Sequence, residues 1–394
     1  MNPSASGWID KFGHLVKDIP NAYSSFDELY QTLKKAGFIY GINVNTFTPI
    51  ETEHRLSEDE IAKINLLGAL YYTYLGKESA FSFDSFLGTV YEFYKNLDLG
   101  KTSFFTKVLL DKKTSSKLEK LINSRVYLED NVISKTFNSF ITNSLLFIDV
   151  LTFKRYLAGE PDIKKHAQQL EYIIINLTYH ALNSKDTNRK DAKLAQLFAS
   201  SLTYIDGEAQ QFDGSYRDDM IDRFLACENQ YFMDLACLAV WEDKNLEYLE
   251  SEFIFGIGKD LGLATEKISM SLEFVSSFFA LNTKKIPHLK DNNLAIQFYD
   301  SMAKMVNKLI LRNSKRLQKE LSESKELVTL LSKSTVRELS PKEKKKVQKQ
   351  LLDIFKSIPS LAIFMLPGGA VLLPIFIKLI PKLLPSSFDD NRVE

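Results

Sequence analysis

The chain has 394 residues, 45 % of them hydrophobic and 12 % aromatic, with 50 Lys+Arg against 50 Asp+Glu. That apolar content excludes a disordered chain and is enough for a sizeable core, divided over two or three domains at this length. Two cysteines, Cys227 and Cys237, exclude a disulfide framework and a thiolate metal cluster, and they fit a reducing compartment.

From the first residue the pattern is helical. The opening MNPSASGWIDKFGHLVKDIP has no continuous apolar core for a signal peptide, and its acids Asp10 and Asp18 do not suit a transit peptide, so the body is expected in the cytoplasm. Ser57 and Glu60 have capping-box spacing ahead of IAKINLLGALYYTYL. Phe137, Phe140, Ile141, Ile148 and Leu151 form a second amphipathic run. Ile163, Ala167, Leu170, Ile174, Leu177 and Ala181 recur every three or four residues, which puts one stripe against a core. A third run covers Lys304 to Leu331, with Met305, Leu309, Leu317, Leu321 and Val328 on its apolar side. Hinges are expected at Asn183 to Arg189 and Asp206 to Asp219, where turn residues cluster. No repeat of 20 to 50 residues stands out.

Catalytic signatures fail one by one. Gly100-Lys101-Thr102 resembles the end of a phosphate loop, but the glycine required five positions earlier is Lys95. Gly256-Ile257-Gly258 needs a third glycine at Leu261 and a preceding strand. Asp243, Asn245 and Glu247 have calcium-loop spacing, yet Tyr248 takes the glycine position and Ile254 the final glutamate position. His14, His54, His166, His180 and His288 form no HExxH pair, and no serine sits in a GxSxG elbow. The expectation is a non-enzyme with no cofactor and no metal.

Zero net charge conceals an asymmetry. Met302 to Lys356 holds 15 Lys+Arg against 6 Asp+Glu, a balance of +9, and residues 1 to 301 carry −9. Lys342, Lys344, Lys345, Lys346 and Lys349 are the densest part of this basic neck. Beside an apolar segment such a cluster is attracted to anionic lipid by roughly 1 kcal/mol per Lys and marks the cytoplasmic side. A solvated helix face is the alternative. A nucleic-acid patch lacks an accompanying motif, and DNA is not expected as a partner.

The neck abuts Ser357 to Ile377, 21 residues without a charge, long enough to cross a bilayer as one helix of about 31 Å. Ser340-Pro341-Lys342-Glu343 is a helix start with proline at the first position and glutamate at the third. Val347, Leu351, Ile354, Phe355 and Ile358 then line one helix face. Prolines follow at Pro359, Pro367, Pro374, Pro381 and Pro385. Seven-residue steps put Pro367, Pro374 and Pro381 on one line of a continuous helix and free the carbonyls of Ile363, Ala370 and Ile377. Unsatisfied carbonyls cannot face lipid, which leaves a kinked anchor packed against a second copy or the body, a cation path, or a re-entrant hairpin. Gly368 and Gly369 permit the close backbone approach of a homo-oligomer.

Two family resemblances are carried by these residues. Trp241-Glu242-Asp243-Lys244-Asn245-Leu246, Glu250, Phe253-Ile254 and Leu261-Gly262-Leu263 resemble the tellurite-resistance TerB-like domains over residues 190 to 282, although that family has glycine where Lys244 stands. Residues 325 to 388 resemble the LETM family, transmembrane proteins of the mitochondrial inner membrane and their bacterial relatives, most of all the LETM-related biofilm-associated proteins. Glu343, Asp353, Phe355, Lys356, the five prolines, Leu372-Leu373, Lys378, Ser386 and Phe388 carry this match. The resemblance implies an inner-membrane protein linked to potassium/proton or calcium/proton exchange and, in some members, to ribosome binding. It departs from the family at Ala370, where relatives place a glutamate. It also ends at Glu394, where relatives continue into a large ribosome-binding domain and EF-hands.

The fold expected is therefore all-α: a multi-helix cytoplasmic body over 1–300, a basic helical neck over 301–340, and a LETM-like segment over 341–394 with a Pro-kinked membrane helix at about 357–385. Membrane lipid, a second copy and the ribosome are the expected partners. The function expected is that of a membrane-anchored interaction or envelope-homeostasis factor associated with biofilm, with a cation transporter or transporter subunit, or a ribosome tether, as alternatives.

Overall fold

The computed structural model describes residues 1–17, 19, 23–48, 50, 55–77, 82–97, 113–126, 144–183, 215–241, 248–283, 285–286, 303, 306–307, 309–358, 361, 364 and 372–384. Among them there are helices and no strand. In chain order the helices are α1 (Trp8–Val16), α2 (Phe26–Lys35), a 3₁₀ turn (Phe38–Tyr40), α3 (Glu58–Leu75), α4 (Phe83–Asn96), α5 (Thr114–Arg125) and α6 (Phe147–Leu157). Then come α7 (Ile163–Asn183), α8 (Tyr216–Met220), α9 (Ala226–Val240), α10 (Tyr248–Asp260) and α11 (Thr265–Asn282). The C-terminal group comprises α12 (Ser314–Ser322), α13 (Lys325–Val336), α14 (Pro341–Ser357) and α15 (Leu373–Leu383).

Two helices organise the body. α3 and α9 are apolar on almost every side, and such helices are stable only when surrounded. α7, α10, α11, α2 and the 3₁₀ turn pack around α9, while α6, α2, α4 and α5 pack around α3. α6 touches both α3 and α7 and so joins the two clusters. The α3 start has the capping box expected of it: Ser57 Oγ accepts from Glu60 N–H at 3.3 Å, and Ser57 N–H donates to Glu60 Oε2 at 2.8 Å. The stripe from Ile163 to Ala181 is buried along α7, as its spacing requires. Of the run beginning at Phe137, Ile148 and Leu151 are buried in α6; Phe137, Phe140 and Ile141 lie outside the described residues.

Gly256 and Gly258 lie inside α10, so no phosphate loop forms there. A Cβ on Gly258 would run into Ile268 of α11, and the glycine serves close helix approach. The third run is not one long helix. It breaks at Asn313 and again at Glu323-Ser324, giving helical residues 309–312, then α12 and α13. Leu309, Leu317, Leu321 and Val328 are nevertheless buried as expected, and Met305 lies outside the described residues.

The expected membrane helix is the principal correction. No helix among the described residues is long and apolar enough to cross a membrane. α14 stops at Ser357, because Ile358 precedes a proline and takes extended backbone (φ −118, ψ 104), the geometry such a residue prefers. α15 has 11 residues, about 16 Å of helix against the roughly 30 Å of a bilayer core. The apolar side chains are spent inside the protein instead. Phe355 stacks on Phe364 at 4.7 Å, and Phe376 meets both rings edge-on at 5.1 and 5.0 Å. Ile358, Leu361, Leu373, Ile377 and Ile380 are buried with them, and α15 packs on α13. The described apolar residues of this stretch thus form the core of a small helical unit.

Candidate functional site

Charged groups in the body are drawn inward in pairs. On α6, buried Asp149 accepts a fork from Arg125, Nε at 2.7 Å and Nη2 at 2.6 Å, and a third bond from Tyr94 Oη at 2.8 Å. On α9, buried Asp234 accepts from Lys34 Nζ and Tyr30 Oη, both at 2.7 Å. Burial first, and the neighbouring carboxylates second, push the hydroxyls of Tyr94 and Tyr30 well up, so both act as donors. Glu228, in the first turn of α9, receives Arg155 Nε and Nη2 at 3.0 and 2.7 Å, meets His166 Nε2 at 2.8 Å, and accepts from Leu225 N–H at 2.6 Å. Burial pushes its carboxyl up, but the bonds from His166 and Arg155 outweigh it and hold the group at about 2. Each acid thus ties together helices distant in sequence. None of these groups opens onto a described cavity, and their role is to fix helix positions.

The C-terminal group presents its charge outward. α14 begins with a full capping box: Ser340 N–H donates to Glu343 Oε2 at 2.8 Å, and Ser340 Oγ accepts from Glu343 N–H at 3.4 Å. Arg337, at the end of α13, adds a fork to the same carboxylate at 3.0 and 2.7 Å. That fork and the Ser340 amide hold Glu343 at about 2. Glu343 therefore locks the turn between α13 and α14. Further polar contacts set α14 against its neighbours: Lys346 pairs with Glu326, Ser324 Oγ donates to Gln350 at 3.1 Å, and Ser357 Oγ donates to Glu320 at 3.0 Å.

Val347, Leu351, Ile354 and Phe355 bury one side of α14. Lys342, Lys345 and Lys349 are exposed on nearly the opposite side, since steps of three and four residues keep them within about 60° of one another. They spread three cations over about 10 Å of helix. Lys342, Lys344, Lys345 and Lys349 show no carboxylate partner among the described residues, whereas Lys346 is engaged by Glu326. Of the five neck lysines, then, three form a stripe, Lys344 is half-buried beside it, and Lys346 is exposed but paired with Glu326.

On α15, Pro374 and Pro381 share the outward side with exposed Lys378 and Lys382. Of the proline line, Pro374 and Pro381 lie in α15, which begins at Leu373. Pro374 sits in the first turn, where the amide it lacks would have no intrahelical partner. Pro359, Pro367, Gly368, Gly369, Ala370 and Pro385 lie outside the described residues, as do Gly100-Lys101-Thr102, Asp243, Asn245 and Glu247. His166 belongs to the Glu228 cluster and His180 stacks on Tyr216 at 5.0 Å; His54 and His288 lie outside the described residues. Among the described residues no group of three or more His, Cys, Asp or Glu is placed to hold a metal. Sequence reading missed the Arg337–Glu343 fork, whose signal was an arginine just ahead of a capping-box glutamate. Lys378, expected in the membrane segment, is exposed on α15 beside Lys382.

Residues 339–394 match the family model described as LETM1-like, RBD. The family likeness of the C-terminal part is thereby supported, and the domain that the resemblance placed beyond Glu394 is matched by 339–394 themselves. No curated protein and no solved structure matches the chain.

Proposed function

We propose that the C-terminal helices are a ribosome-binding module and that the Lys342–Lys345–Lys349 stripe of α14 is the surface that meets ribosomal RNA. The match of residues 339–394 to a LETM1-like ribosome-binding domain carries the reading. The geometry supports it: the apolar side of the same helix is consumed by packing, which leaves a rigid row of cations facing solvent. Rigid cations spaced along a helix neutralise successive phosphates and displace their counterions, so the interaction is electrostatic first. Lys378 and Lys382 offer a second, smaller cationic edge on α15. The acidic body would be held away from RNA by its own charge and left free for other contacts. This is a binding role, and no catalytic step is assigned.

The test is co-sedimentation of the full chain with purified ribosomes across a salt series. Binding is expected at low salt, falling steeply as salt rises. The triple variant Lys342→Gln, Lys345→Gln, Lys349→Gln should bind more weakly, with a salt slope shallower by about 2 to 3, following roughly 0.7 to 0.9 per neutralised phosphate. All three side chains are exposed, so the variant keeps its fold. No sedimentation at low salt, or an unchanged slope in the variant, would refute the reading.

A further inference from the structure

The body contains a cavity of about 220 Å³ where the start of α2 meets the ends of α3 and α6. Its walls are of two kinds. Tyr23, Phe26, Tyr72 and Leu157 supply aromatic and apolar surface, while Lys77 and Lys154 supply positive charge. Tyr23 and Tyr72 meet edge-on at 4.9 Å, and Lys154 Nζ stands 5.1 Å from the centre of the Phe26 ring. Its charge is thus held at the aromatic wall.

Lysines at helix ends commonly complement the negative pole of the helix. That role is largely filled here. Gly76 N–H already bonds Tyr72 O, Lys77 N–H bonds Tyr74 O, Ala158 N–H bonds Lys154 O and Arg155 O, and Gly159 N–H bonds Tyr156 O. Neither lysine has a carboxylate partner among the described residues. Glu28, in the first turn of α2 and close to Tyr23, is exposed and committed to the Ser24 amide and hydroxyl at 2.9 and 2.8 Å. Two cations without a carboxylate partner among the described residues, beside a half-apolar, ring-lined hollow, are complementary to an anion with a flat apolar body. A dry cavity of about 150 Å³ accepts benzene, so this one accommodates a ring together with a carboxylate.

The geometry points to a binding site for a small aromatic carboxylate, its ring between Tyr23, Phe26 and Tyr72 and its carboxylate on Lys77 and Lys154. This site is independent of α14, and its ligand is recognised by charge-assisted hydrogen bonds at one end and ring contacts at the other.

Titration calorimetry and ligand-observed NMR on the full chain, with benzoate as probe, provide the test. Benzoate should bind saturably, at least about tenfold tighter than neutral benzamide and than inorganic phosphate. Lys77→Gln, at an exposed position, should cost about tenfold, as should Lys154→Gln. Ala158→Trp, which fills the hollow from its exposed rim, should abolish binding while thermal unfolding stays cooperative. Equal affinity for benzoate and benzamide, phosphate binding as tight as benzoate, insensitivity to both lysine variants, or benzoate binding that survives Ala158→Trp would each overturn the assignment. So would the absence of saturable binding.

Discussion

Glu228 concentrates more of the body's polar order than any charge visible in the sequence pattern. An arginine from α6, a histidine from α7 and the amide of Leu225 converge on one buried carboxylate. Removing one member of such a set leaves the others buried without partners, at a cost of several kcal/mol. Its pH consequence follows from the direction of the shift. A carboxylate held at about 2 in the folded chain, against 4.5 ordinarily, binds fewer protons folded than unfolded through that window. Its stabilising contribution is therefore complete above pH 4.5 and disappears as pH falls towards 2. Acid unfolding followed by circular dichroism should show Glu228→Gln less stable at pH 7 and less pH-dependent between 4.5 and 2 than the parent chain. Parallel profiles would remove Glu228 from this role.

Three phenylalanine rings tie α14 to α15, and both helices pack on α13. Phe376 touches Phe355 and Phe364 from a helix of only 11 residues, far too short to persist alone in water. Phe376→Ala should cost about 3 to 5 kcal/mol. In hydrogen exchange, the α15 amides should lose protection while those of α3 and α9 keep theirs. Uniform loss over the whole chain would mean the group does not open separately. These contacts also explain what the sequence disclosed and what it concealed. Capping boxes at Ser57 and Ser340 and the α7 stripe were readable because each depends on residues within one or two turns. The uncharged run from Ser357 was misread, because its composition is equally good for lipid and for a protein interior. Pro359 was the clue that decided between them, through its effect on Ile358. The stripe of Lys342, Lys345 and Lys349 was legible as charge, but its separation from Lys346 depended on Glu326, twenty residues away.

Across the whole molecule, the most consequential pairing joins Lys34 and Tyr30 of α2 to Asp234 of α9, 200 and 204 positions apart. Helix α2 buries Leu29, Tyr30 and Leu33, and α9 is among the surfaces against which it packs. The earliest helices of the chain cannot complete their interior until α9 exists. During synthesis at about 5 to 20 residues per second, α2 would wait roughly 10 to 40 s for its partner. Nascent chains halted before Ala226 should accordingly leave α2 open to protease, and chains extended past Val240 and clear of the exit tunnel should protect it. Protection of α2 in the shorter chains would show that α3 suffices. A long-range ion pair in the finished fold thus sets a waiting time at its birth, during which exposed tyrosine and leucine side chains are open to chaperones and to misassembly.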